Sequence, residues 1–206
     1  MSGITSSTAL WYVSRATGVV ALLLLTAVLL LGVVVTRQGK LPGLPKFAVT
    51  GLHRNLSLLS VAFVALHVLT AVTDGYVNLP LLSALVPLTS PYERFQIALG
   101  TVSLDLFAAI IITSLVRHRL NRGAWRTVHL LSYLSWPVAW LHGLIAATDM
   151  QSGWLLVLAI ADLLVVVAAA GWRLAAAARD IPRAERVGAL MSAMHPGTAR
   201  HPGRTR

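Results

Sequence analysis

Four histidines fall into two pairs on two separate apolar stretches: His53 and His67 are 14 residues apart, and His129 and His142 are 13 apart. A neutral imidazole offers one nitrogen lone pair to a metal. A helix rises about 1.5 Å per residue, so the members of each pair stand roughly 20 Å apart, one toward each face of a hydrocarbon core about 30 Å thick. Two such helices side by side present two stacked sites with one imidazole from either side, which is the axial ligand set of a six-coordinate haem iron. The competing role for an intramembrane histidine is a hydrogen bond between helices; four at matched depths favour the metal. Zinc fits less well, because a two-histidine site lacks the usual carboxylate or thiolate complement.

The elements that must position these residues are membrane spans. Of the 206 residues, 56% are hydrophobic and only 12% charged, with a mean hydropathy of +0.74, which excludes an ordinary soluble domain. Cutting where charged, Pro and Gly residues cluster leaves five apolar stretches, at about 9–36, 50–73, 93–116, 124–148 and 152–176. Each is long enough to span. The expected fold is all-α: an integral membrane bundle of five transmembrane helices filling residues 1–179, followed by a basic, disordered tail over 180–206.

Helical phase tests the pairing. Fourteen residues return a helix to within about 40° of its starting face, whereas thirteen leave roughly 140° of mismatch. His53 and His67 therefore share a face of span two. For His129 and His142 to share one, span four must depart from a regular helix, and Pro137 between them is the expected place for a kink.

The 17 Lys and Arg residues give a net charge of +10. They recur at alternate span ends: Arg37, Lys40 and Lys46 after span one, Arg117, Arg119, Arg122 and Arg126 after span three, and Arg173 onward after span five. The positive-inside rule then sets the N-terminus outside and the C-terminus in the cytoplasm of a multi-pass plasma-membrane protein. This pattern, without a folded basic surface, argues against nucleic acid as a partner and for the lipid bilayer, with the tail resting on anionic lipid. No cysteine is present, which rules out thiolate-ligated or covalently attached haem. The N-terminus lacks the basic region and cleavage site of a signal peptide, so span one is read as retained.

The segments "GLHRNLSLLSVAFVALH", "RGAWRTVHLLSYLSWPVAWLHG" and "LWYVSRATG" resemble the transmembrane domain of the ferric reductase and NADPH oxidase superfamily, over roughly residues 9–150. It is similar in particular to the stand-alone haem subunit of the bacterial methionine sulfoxide reductase system. The resemblance implies two b-type haems, an inner one on His53 and His129 and an outer one on His67 and His142. These would carry electrons from a cytoplasmic flavin across the bilayer. Full-length relatives continue into flavin- and nucleotide-binding domains, and no Gly-rich dinucleotide fingerprint occurs here. The implied role is a membrane oxidoreductase subunit supplied by a separate flavoprotein reductase, a bound flavin or the quinone pool. It would deliver to an extracytoplasmic acceptor, such as ferric iron or a periplasmic redox enzyme. The alternatives are a haem-binding anchor that does not conduct, and a small proton-coupled transporter or channel.

Arg15, near the outer end of span one, needs a partner in the membrane; the resemblance implies an outer-haem propionate, and the alternatives are snorkelling or an acidic side chain. Arg54 and Arg126 stand beside the inner ligands. Gly18 and Gly32 repeat the 14-residue interval at the two haem depths and would let a macrocycle approach the backbone. Tyr133, Trp136 and Trp140 lie between or beside the span-four ligands, where ordinary packing competes with a place between the macrocycles. Asp105 and Asp162, expected to be buried carboxylates in spans three and five, are candidates for proton uptake, or for pairing with Ser103, Thr113 or an arginine. The connection from Asp74 to Tyr92 is expected to cover the outer site, where an acceptor would dock. His118, His195 and His201 are expected in solvent.

Overall fold

A computed structural model describes residues 2–36, 45–75, 77 and 79–194, with the side chains of 9–179 among them. Every regular element among these is helical. In chain order they are α1 (Ser2–Thr36), α2 (Lys46–Thr73), the short α3 (Leu81–Leu85), α4 (Arg94–Leu115), α5 (Arg122–Leu130), α6 (Ser132–Ala146) and α7 (Gly153–Met194), with 3₁₀ turns at Arg117–Arg119 and Thr148–Gln151. The contacts divide the chain into two units, residues 1–166 and 167–206. The described part of the second unit is the remainder of α7.

Four helical stretches are long and apolar enough to cross a membrane: Ala9–Val35, Lys46–Thr73, Arg94–Leu115 and Gly153–Arg179. The protein is a multi-pass membrane protein. The expected span four, 124–148, is instead two shorter helices, α5 and α6, which meet at Leu131. There the ladder tightens: the Leu131 N–H bonds to Val128 O and the Leu134 N–H to Leu131 O, both at 2.9 Å and both three residues back. Pro137 does not break the chain; it lies inside α6. The tail expected to be disordered from Asp180 begins as a continuation of helix α7 to Met194. Arg37, Lys40, His195 and His201 lie outside the described residues.

Within the first unit α1 packs along α2, α4 along α6, and α1 joins the two pairs through α6. Small buried residues permit the close approach, among them Thr17, Ala21 and Thr26 on α1, Ser60 and Thr70 on α2, and Ala98 and Thr101 on α4. The hydroxyls on α2 are satisfied within that helix, Ser60 Oγ donating to Leu56 O at 2.8 Å and Thr70 Oγ1 to Leu66 O at 2.8 Å. Such back-bonding is what a hydroxyl requires where water is absent. Leu22, Met150 and Ala159 form a core that Trp140, Leu144 and Leu155 complete. The large side chains of Leu58, Leu69, Ile112, Leu115, Val157 and Leu164 point outward, as hydrocarbon solvent allows.

Candidate metal centres

The two histidine pairs meet. The His53 and His129 rings have centroids 6.3 Å apart, inclined at 64°. The His67 and His142 rings are 6.4 Å apart, inclined at 69°. The pairs therefore combine the way the spacing predicts, across α2 and the α5–α6 segment. The 13-residue interval is accommodated because α5 and α6 are separate helices, so the phase of His129 does not constrain that of His142.

Hydrogen bonds fix which ring nitrogen is available. His67 Nδ1 donates to Ser14 O at 2.8 Å, His142 Nδ1 to Gln96 O at 2.8 Å and His53 Nδ1 to Val28 O at 3.1 Å. A carbonyl only accepts, so each of these imidazoles carries its proton on Nδ1 and keeps the Nε2 lone pair free. His129 differs: its Nδ1 is buried without a partner, and its ring stacks on Trp125, with centroids 5.0 Å apart and planes at 27°. The Arg117 guanidinium covers the other ring of this stack, 5.5 Å from the Trp125 centroid. Trp125 and His129 are four residues apart on α5 and so share a face; that spacing was the available signal for the contact.

Glycines hold the rings in place. A Cβ on Gly18 would lie 2.9 Å from His67 Nδ1 and Cε1, and one on Gly100 would lie 2.8 Å from His142 Cε1. Gly18 thus clears the imidazole itself. Gly32 faces His53 more loosely, its Cβ reaching Cε1 at 3.5 Å. Gly100, which the sequence reading does not single out, plays for His142 the part that Gly18 plays for His67.

The His67–His142 pair opens into a cavity of about 720 Å³. Its roof comes from the connection after α2, through Asp74, Leu79, Ser83 and Tyr92. Thr101 Oγ1 anchors that roof to α4 by donating to Ser83 O at 2.6 Å. An apolar groove of about 410 Å³ lies between α2 and α4, and Val64, Val68, Val72, Leu104 and Phe107 line both spaces. Arg15, also on the cavity wall, bonds Asp149 Oδ2 at 3.1 Å and sits 4.3 Å from the Trp11 ring centroid. Its partner in the structure is thus an acidic side chain. Arg54, Arg126 and His118 are exposed. The two carboxylates part company: Asp105, expected to be buried, is exposed on α4, whereas Asp162 is buried.

Among the described residues no group of three or more His, Cys, Asp or Glu gathers around a metal position, so each pair brings two imidazoles without a third side chain of these types. Two imidazole–metal bonds of about 2.0 Å, with about 1.1 Å more from each nitrogen to its ring centre, put two centroids about 6.2 Å apart when the nitrogens face one metal ion from opposite sides. Both pairs match that span. A metal that brings four further donors of its own, as a haem iron does, suits such a pair.

A family model described as "Ferric reductase like transmembrane component" matches residues 17–140. The matched stretch includes His53, His67 and His129 and ends two residues before His142. No curated protein and no solved structure matches the chain.

Proposed function

Because the chain belongs to the ferric reductase-like transmembrane component family, whose members point to electron transfer across membranes, we propose that it conducts through two bis-histidine b-type haems. The inner haem is held by His53 and His129, the outer by His67 and His142. The donor is a cytoplasmic flavin, flavoprotein or quinone, and the acceptor lies on the other side of the plasma membrane, as ferric iron or a periplasmic redox enzyme. The observation that carries this reading is the matched separation of two imidazole pairs, 6.3 and 6.4 Å, at two levels of one bundle. In this arrangement the α5–α6 segment makes the fourth of five crossings, with the N-terminus outside.

When bound, the haems supply one-electron chemistry. The chain's own residues do the rest. The carbonyls of Ser14, Val28 and Gln96 orient three imidazoles and make them stronger donors. Gly18 and Gly100 give two of the rings room against α1 and α4. The roof over the outer cavity limits water there, and Arg15 is the cation available to an outer propionate, in competition with Asp149. His67 and His142 would together hold the outer haem and leave its iron no vacant position, so an acceptor would be reduced from the edge of the site.

Reduced-minus-oxidised spectra with a pyridine haemochrome count test this on wild type, His67→Ala and His129→Ala. Two b-type haems per chain are expected, each variant losing a different one. Well-folded protein without haem, purified from haem-replete cells, would sink the proposal.

A further inference from the structure

Between the two histidine levels a buried polar chain links three helices. Trp136 Nε1 of α6 donates to Thr26 Oγ1 of α1 at 2.7 Å, and Thr26 Oγ1 lies 3.0 Å from Asp162 Oδ2 of α7. The three residues are 4%, 6% and 7% exposed. Thr26 is eight residues from Gly18 and six from Gly32, the glycines that face His67 and His53. That places it about 12 and 9 Å along the helix from the two levels. Trp136 is likewise seven residues after His129 and six before His142.

The Thr26 hydroxyl has one proton and two acceptors within 3.0 Å, Asp162 Oδ2 and Leu22 O. When Asp162 is a carboxylate, Thr26 donates to it. When Asp162 is a neutral acid, Thr26 can turn its proton to Leu22 O, the same bond its neighbours on the helix make, and accept from the acid instead. Both protonation states are satisfied without moving a heavy atom. Among the described residues no cation is paired with the carboxylate: α1 carries no ionisable residue from Ala16 to its end at Thr36, and α7 up to Val166 none besides Asp162. From α5 and α6 the titratable and charged groups are Arg122 and Arg126, both exposed, with His129, Tyr133 and His142. The charge that Asp162 feels is therefore set chiefly at the histidine levels, and in a low-dielectric interior such coupling extends over this range.

Resting on the two-haem reading above, we propose that Asp162 is a redox-linked proton site. As one electron from the flavin or quinol donor arrives at the flanking centres, one positive charge there is cancelled. Asp162 then binds one proton from water, –COO⁻ becoming –COOH. The proton leaves when the electron passes to the acceptor. Thr26 is a positioning residue that keeps both forms hydrogen-bonded.

Potentiometric titration of the haems from pH 6 to 9, in wild type and Asp162→Asn, is the test, with infrared difference spectra recorded on reduction. In wild type at least one reduction equilibrium should change by up to tenfold per pH unit, about 59 mV, with a carboxylic C=O band appearing on reduction. Asp162→Asn should flatten the slope and remove the band. A wild-type potential independent of pH, or an equal slope in the variant, overturns the proposal while leaving the haem reading intact. If the variant does not accumulate, the wild-type infrared spectrum decides, and absence of the carboxylic band overturns it. Absence of haem bands altogether brings down both readings.

Discussion

At the scale of single residues, the distinction between a ring with room and a ring without it separates the glycines. Gly100→Ala puts a Cβ 2.8 Å from His142 Cε1, and that ring cannot retreat without giving up its bond to Gln96 O. Overpacking of this kind costs about 1–3 kcal/mol. Gly32→Ala adds only an ordinary contact at 3.5 Å. The expected outcome is loss or a marked shift of one haem's spectrum in Gly100→Ala and a wild-type spectrum in Gly32→Ala; equal effects would mean the glycines do not set ring position. The histidines themselves were legible in the sequence, since type, depth and spacing are all sequence properties. Gly100 was not, because its role depends on which side chain lies opposite it. Asp105 and Asp162 also looked alike, each a lone carboxylate in an apolar run. Only the packing of α4 and α7 makes the first exposed and the second buried.

At the scale of elements, the break at Leu131 decides whether the second imidazole pair forms. Four of the expected spans were legible because an apolar run of more than twenty residues has few other uses. The division of the fourth was not. It falls within "HLLSYL", which holds neither Gly nor Pro, while the proline that suggested a kink lies six residues further on, inside α6. Inserting one alanine between Leu131 and Ser132 should turn α6 by about 100° relative to α5 and carry His142 away from His67. The haem count of that variant should fall from two to one, with the inner site kept. Pro137→Ala should retain both. Two haems in the insertion variant would show that α6 finds its own register against α4, and that the break does not set it.

At the scale of the whole molecule, the direction of electron flow depends on which way the bundle lies in the membrane. The chain contains no cysteine, so single introduced cysteines report their own side. Thr89→Cys, exposed in the connection after α2, should react with a membrane-impermeant maleimide on intact cells, and Arg119→Cys, exposed beyond α4, only after permeabilisation. The opposite pattern would exchange the donor and acceptor sides. The groove between α2 and α4 bears on how any such measurement is made. The residues that line both that groove and the outer cavity form a thin partition between the two spaces. In a bilayer, acyl chains would fill the groove and pack against that partition. A detergent that packs there differently from a phospholipid changes the local dielectric and the room beside His67 and His142. Spectra and potentials from the outer centre should therefore depend on the solubilising medium more than those from the inner one, and a lipid nanodisc is the appropriate reference state.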